Sequence, residues 1–504
     1  MVSPRLVLFI TIAFLPGLSL AKNLSLASPF TDHMVLQREM PVPVWGTAQK
    51  GFKVTVSFGG QEKSTTADDN GNWQLFLDAL SGSKTGTDFT TTTDQGEAIT
   101  LSDVVVGEVW ICSGQSNMQM GRGAVEELKD LPEENLRTFA VKRTVAFDEQ
   151  DRLEGEWVSG GPDSAVAFGF AHGLAQQTEF PVGIILAAWG SSSLEAWMPR
   201  DMTEQFPHFK TIMEEWDNNT EAQEMIKAAL AKENWSRDED VFMRRQSCIV
   251  YNAMIHPLIP YACRGLVWYQ GERNTRYISG MPEGPWYHRV AGIREYDDVL
   301  KGWMQRYRQA WDRDDFHFLV VMLPGYGSLL STGPNMEPSN PTSHSWAWMR
   351  ESQLAALDLP HTAVANTIDL GDVKNIHPKD KAPIGQRLAL LAARDTLGLE
   401  VEASGPVFNK VTSKGGHLVV QFDHAEGLKT TDGEAPREFW IADQSAKNWK
   451  PASATIVGTT IELHSPEVPN PAFVRYAFTG KPEVNLVNEA ELPAYPFRTD
   501  DAAP

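Results

Sequence analysis

The sequence predicts an α/β protein: a parallel-sheet domain flanked by a β domain at each end. Three observations carry that expectation. Between residues 104 and about 400, short apolar runs alternate with helical patterns, as expected of parallel strands joined by crossover helices. On either side the chain reads as short alternating runs broken by Gly, Asn and Asp. The length, 504 residues, exceeds what one hydrophobic core normally holds.

Residues 1–21 have the form of a secretory leader. Arg5 gives the positive start, LVLFITIAFLPGLSL the apolar core, and Ser19-Leu20-Ala21 the small residues before a cut after Ala21. Pro16 and Gly17 interrupt a run already short for a bilayer, so secretion to a periplasm or the medium is expected, with no membrane association after cleavage. Residues 22–103 then read as an N-terminal β-sandwich domain. PVPVWG, KVTVSFGG, WQLFL and DFTTTT are strand-like, and Asp69-Asn70-Gly71-Asn72 is turn chemistry. Its role is packing against the next domain or binding carbohydrate.

The domain at 104–403 opens on VVVGEVWICSGQSNMQM, an apolar strand breaking at Ser113-Gly114 into a polar turn that carries Ser116. AVAFGFAHGLAQQ, 165–177, has helical spacing, and PVGIILAAWG follows as a buried strand. The charged stretch 201–247 is a helical insertion. HFLVVMLPG and TAVANTIDLG are further strands, with WAWMRESQLAAL a helix between them. In PIGQRLALLAARDTLG, Pro383 starts a helix, Ile384, Leu388, Leu391 and Ala392 share a face, and Gly398 stops it. Residues 404–504 return to β patterning, with KVTSKGGHLVVQFD, REFWIAD, ATIVGTTIELHS and AFVRYAF.

Composition narrows the function. Hydrophobic residues at 42% and charged residues at 22% describe an ordinary soluble globular chain. A net charge of −21 with no sustained Lys/Arg run argues against a nucleic-acid partner. Three cysteines, Cys112, Cys248 and Cys263, permit at most one disulfide and no framework. No HExxH, EF-hand spacing or Cys/His cluster calls for a metal, and no cofactor is expected.

GQSNM, AAWGSSSLEAW, GLVWYQGERN and GDVKNIHPKDKAPIGQRLA, each an apolar or loop segment ending in Gly and polar residues, lie far apart in the chain. Together with MVLQREMPVPVWGTA, GNWQLFL, FVRYAF and LPAYPFRTD they resemble the sialate O-acetylesterase family of carbohydrate esterases, a branch of the SGNH hydrolase superfamily. The resemblance implies an SGNH-type hydrolase domain that removes acetyl groups from sugars. An O-acetylated sugar or polysaccharide is then the partner.

Acyl transfer needs an activated hydroxyl, a base and donors for the developing oxyanion. A serine just after a strand ordinarily caps a helix. By the resemblance, and by its place at a strand end, Ser116 is the nucleophile. His377, before Pro378, is the base. The superfamily places an Asp three residues before the His, where this chain has Lys374, which cannot accept from an imidazole N–H. Asp372 is the first candidate orienter, although Asp beside Gly371 is also ordinary turn chemistry. Asp369, Asp380, Asn375 or a main-chain carbonyl are the other choices, and with the last two the site is a Ser–His dyad. For the oxyanion hole the candidates are the N–H groups of Ser116 and Gly190 and a side-chain amide, Gln270 before Asn274. Glu272 is read as holding its loop through backbone hydrogen bonds. Trp189, Trp197, Trp268, Trp286 and Trp346 lie in or near these segments, where one or two faces stack on sugar.

Two alternatives stay open. The substrate is a neutral polysaccharide such as acetylxylan, since no Arg cluster is visible for a sialate carboxylate, or the chain is a non-catalytic carbohydrate-binding protein on an esterase scaffold.

Overall fold

The computed structural model describes residues 23–276, 290–327 and 345–503. The expected leader and Trp286 lie outside them.

The fold is built on one long strand, β1 (Ala98–Gly114). Up to Asp103 its residues alternate between exposed and half-buried, and from Val104 onward every residue is buried. The first pattern suits a sheet with one wet face, the second a sheet covered on both. Accordingly, the first part pairs antiparallel with Ser83–Thr93 in the N-terminal β domain, and Val35–Gln37 runs parallel to Val105–Gly107. The rest forms the middle of the central sheet. Residue 103, where the sequence puts the domain boundary, thus falls inside a strand. There Asp103 has a φ of +54° and is held by His33 Nδ1 at 2.8 Å and Arg137 Nη2 at 3.0 Å.

Four-residue α1 (Ser116–Gln119) follows, then β2 (Leu136–Ala140), β3 (Trp157–Ser159), α2 (Ala165–Ala175) and β4 (Val182–Ala188). After the insertion come β5 (Gly265–Tyr269), α3 (Ile293–Trp311), β6 (His317–Val321), α4 (Ser345–Leu354), β7 (Thr362–Ala365) and α5 (Ala382–Leu397). The sheet order is β3-β2-β4-β1-β5-β6-β7, parallel throughout except that edge strand β3 is antiparallel to β2. From β1 the chain first forms β2 and β3, returns to place β4 between β2 and β1, and then crosses to add β5, β6 and β7 on the other side of β1. In open α/β sheets such a reversal leaves a crevice at the strand C-termini, and Ser116 stands there.

The expected insertion is helical, with Pro207–Asn218, Thr220–Leu230 and Arg237–Met243. Helix α5 buries Ile384, Leu388, Leu391 and Ala392, as its periodicity predicts, each large apolar side chain contributing about 2 kcal/mol. It crosses α2 closely because Gly169 faces Gly385, where a Cβ on Gly385 meets Gly169 backbone at 2.5 Å. The C-terminal domain holds two four-stranded antiparallel sheets. Fully buried Arg350 on α4 fastens it, donating to the carbonyls of Leu323, Thr479 and Gly480 at 2.7–2.8 Å. All three cysteines are buried and unbridged.

Candidate active site

β1 ends at Gly114, where φ is +136° and a Cβ falls 2.1 Å from the Tyr269 carbonyl oxygen. Glycine is therefore required for the strand to close against β5. Gln115 N–H donates to Tyr269 O at 3.0 Å and Trp189 N–H to Gly114 O at 3.0 Å, stitching the turn to both neighbouring strands. Ser116 opens α1, but its hydroxyl does not cap the helix: the N-cap is Gln115, with no side-chain cap bond. Ser116 Oγ lies 2.9 Å from His377 Nε2, across 261 residues of sequence. Both residues are partly exposed. Burial, and then the charge of Lys381, hold the His377 imidazole below its ordinary pKa.

The loop carrying His377 is ordered by its own polar side chains. Asp372 Oδ1 accepts from Lys374 N–H at 2.7 Å and Asn375 N–H at 2.8 Å, and Asn375 Oδ1 accepts from His377 N–H at 3.0 Å. Asp369 is paired with Arg387, and Asp380 accepts from Gly371 N–H at 2.9 Å. Among the described residues none of these acids bonds His377 Nδ1. Asp372 takes the turn role, because an exposed carboxylate two and three residues before free N–H groups closes an Asx turn locally.

Gly190 lies against Ser116: a Cβ on it stands 3.2 Å from Ser116 Cβ. Its N–H donates to Gln119 Oε1 at 2.6 Å. The expectation that Gln270 or Asn274 presents a free amide to the Ser116 turn does not match the geometry, because burial forces both to satisfy themselves internally. Gln270 Nε2 donates to Asn274 Oδ1 at 2.8 Å and reaches Gln115 Oε1 and Ser192 O at 3.3 Å, while its Oε1 accepts from Tyr296. Asn274 Nδ2 donates to Ala291 O at 3.1 Å and Glu195 Oε2 at 3.4 Å. These two amides brace the turn after Gly190 from behind.

A buried polar bridge beside Ser116 escapes the sequence reading. Asn117 Nδ2 donates to Glu272 Oε1 at 2.6 Å and to Ile376 O at 3.0 Å, and Asn117 Oδ1 accepts from Lys381 Nζ at 2.7 Å. Glu272 therefore holds the Ser116 turn through its side chain as well as sitting in its own loop. Burial pushes its carboxyl up to about 7 and the Lys381 ammonium down to about 8. One signal was present in the sequence: a lysine directly before a Pro-initiated helix is an unusual N-cap.

Beside Gln119 opens a cleft of about 590 Å³, lined among others by Lys142, Arg143, Trp189, Trp235, Asp240 and Arg244. The Trp189 and Trp235 rings stack at 5.9 Å, and Trp189 Nε1 donates to Asp240 at 3.0 Å. Arg143 has no ion-pair partner among the described residues. Asp240 pairs with Arg244 Nη1 at 3.1 Å, and burial, with the like charges of Arg143 and Arg237, outweighs that carboxylate and holds the Arg244 guanidinium below its ordinary value. Trp197, Trp268 and Trp346 are core residues. Among the described residues no group of His, Cys, Asp or Glu is arranged to hold a metal.

A family model described as carbohydrate esterase, sialic acid-specific acetylesterase, matches residues 106–232. The sialate O-acetylesterase of Rattus norvegicus is 28% identical over 91% of this chain and 90% of its own length. That of Homo sapiens is 25% identical over 99% and 97%. The crystal structure of a novel carbohydrate acetylesterase from Xanthomonas citri is 30% identical with a TM-score of 0.77, covering 94% of this chain and 99% of that one.

Proposed function

The chain belongs to the sialate O-acetylesterase family of carbohydrate esterases, and from that premise we propose that it deacetylates sugars by acyl transfer through Ser116 with His377 as base. The observation that carries the mechanism is the 2.9 Å approach of Ser116 Oγ to His377 Nε2 at the C-terminal edge of the sheet. A neutral imidazole there takes the hydroxyl proton as Oγ attacks the acetyl carbonyl, then returns it to the departing sugar oxygen. Water, activated by the same imidazole, releases acetate from the acyl-enzyme and restores Ser116.

The oxyanion falls to the Ser116 N–H, which has no acceptor among the described residues, and to the Gly190 N–H once Gln119 yields it. Gln270 and Asn274 serve by holding the Gly190 turn in place. Asp372, the nearest acid upstream of His377, is the first candidate orienter; its hydrogen bonds favour a Ser–His dyad with a self-supported loop instead.

The cleft beside Gln119 favours a carboxylate-bearing sugar over neutral xylan. Arg143 and Arg244 come from segments a hundred residues apart and meet there with the Trp189–Trp235 pair, in a chain whose net charge is −21. Guanidinium groups suit a carboxylate and aromatic faces suit a sugar ring. The reading includes export with removal of the leader after Ala21, which N-terminal sequencing of the mature protein tests. Among the described residues no helix is long and apolar enough to cross a membrane.

The experiment is acetate release from O-acetylated sialic acid and from acetylxylan by wild type, Ser116→Ala and His377→Ala, with a serine-directed organophosphonate to label the nucleophile. Turnover by wild type alone, with the label on Ser116, is expected. Glycan binding without acetate release from any sugar ester supports the binding-protein alternative.

A further inference from the structure

Lys381 is 1% exposed, and its position works against stability in two ways. A buried ammonium loses its hydration, and no carboxylate lies within ion-pair distance of it among the described residues. It also occupies the N-cap of α5, the end of the helix that repels cations. Such a residue at a helix start calls for a reason beyond folding.

Its hydrogen bond supplies one. An asparagine amide can turn over about its last torsion, exchanging oxygen for nitrogen. An ammonium only donates, so Lys381 must face Asn117 Oδ1. This turns Nδ2 to the opposite side, where the Ile376 carbonyl only accepts and the ionised Glu272 Oε1 accepts beside it. Asn117 directly follows Ser116, and Ile376 directly precedes His377. One amide plane therefore spans the nucleophile's turn and the base's loop, and the lysine selects the orientation in which it does so.

Resting on the acyl-transfer reading above, we propose that Lys381 is a positioning residue: through Asn117 it sets the separation of Ser116 and His377, in a site where no acid among the described residues bonds His377 Nδ1. Its charge also bears on the imidazole. Lys381 is the charged group that acts on His377, and Glu272 and Asp380 in turn favour the ammonium form of Lys381. Removing that charge makes His377 easier to protonate.

The test uses the full mature protein as wild type, Lys381→Met, Asn117→Ala, the double variant and Ser116→Ala. Turnover of a small acetyl ester is followed across pH together with the melting temperature. The expected result is a loss of about 100-fold in kcat for either single variant with KM within about threefold. The double variant loses no more than the worse single, and the acid limb of Lys381→Met moves to higher pH. Should Lys381→Met fail to fold, Asn117→Ala breaks the same bridge from the other side and its kcat carries the test. Wild-type kcat in whichever variant folds, or losses that add in the double variant with an unmoved acid limb, overturns the role of Lys381. If Ser116→Ala is inactive in that case, the acyl-transfer reading stands while the role of Lys381 falls; if Ser116→Ala keeps turnover, both fall.

Discussion

The backbone N–H of Gly190 donates to Gln119 Oε1 at 2.6 Å, tying the turn after β4 to the short helix that begins at Ser116. A Cβ at residue 190 stands 3.2 Å from both Gln119 Oε1 and Ser116 Cβ. Gly190→Ala therefore crowds the nucleophile without disturbing the core. We expect kcat to fall about 10- to 100-fold with little change in melting temperature, measured by steady-state kinetics and thermal unfolding.

Asp372→Asn separates a triad from a dyad. The carboxylate caps a local turn, and an asparagine oxygen accepts the same two N–H bonds. The expected loss in kcat is less than about tenfold, against the roughly 10⁴-fold that removing an orienting carboxylate costs in serine hydrolases. A drop of that larger size returns Asp372 to the catalytic set.

The acid limb of kcat/KM reports His377. Burial disfavours its charged form and Lys381 adds to this, so the folded pKa lies below the ordinary imidazole value. The neutral form acts as base, so activity is lost as pH falls through that lowered pKa. The limb is expected below about 6.5, the unperturbed imidazole value.

Arg143→Ala and Arg244→Ala test the cleft. Each is expected to raise KM for a carboxylate-bearing acetyl sugar about tenfold, as the loss of one charge-assisted hydrogen bond implies, and to leave a small neutral acetyl ester unaffected. Equal effects on both substrates remove the cleft from substrate choice.

Gly114→Ala tests the strand end. Its positive φ and the Tyr269 carbonyl 2.1 Å from a built Cβ leave no room for a side chain. A loss of at least about 3 kcal/mol is expected in denaturant unfolding.

The parts legible in the sequence are those with a local signature. The Pro383-to-Gly398 helix, the buried strand before GQSNM and the helical insertion each follow from periodicity and end signals a few residues away. The His377 loop was only half legible. Three acids lie within nine residues of it, and whether any of them meets the ring depends on backbone turns that composition does not encode. The Asn117 bridge and the Arg143–Arg244 cleft were not legible. The bridge joins residues 155 to 264 positions apart, and the cleft brings Arg143, just after β2, against Arg244 of the helical insertion, which only the tertiary fold places together. For Gln270, a strand-end amide has the same local pattern whether it faces a substrate or a buried neighbour.

Strand β1 has a consequence for how this protein can be cut and recombined. A chain shortened to begin at residue 104 keeps Ser116 and His377, yet it loses the part of the strand before Val104 and bares the edges of Ser83–Thr93 and Val35–Gln37 on the severed piece. Bare edges of this kind recruit other chains. Because Ala98–Gly114 serves the N-terminal sheet and the central sheet alike, a cut before it or inside it bares the same edges, and the two sheets are expected to be exchanged only together.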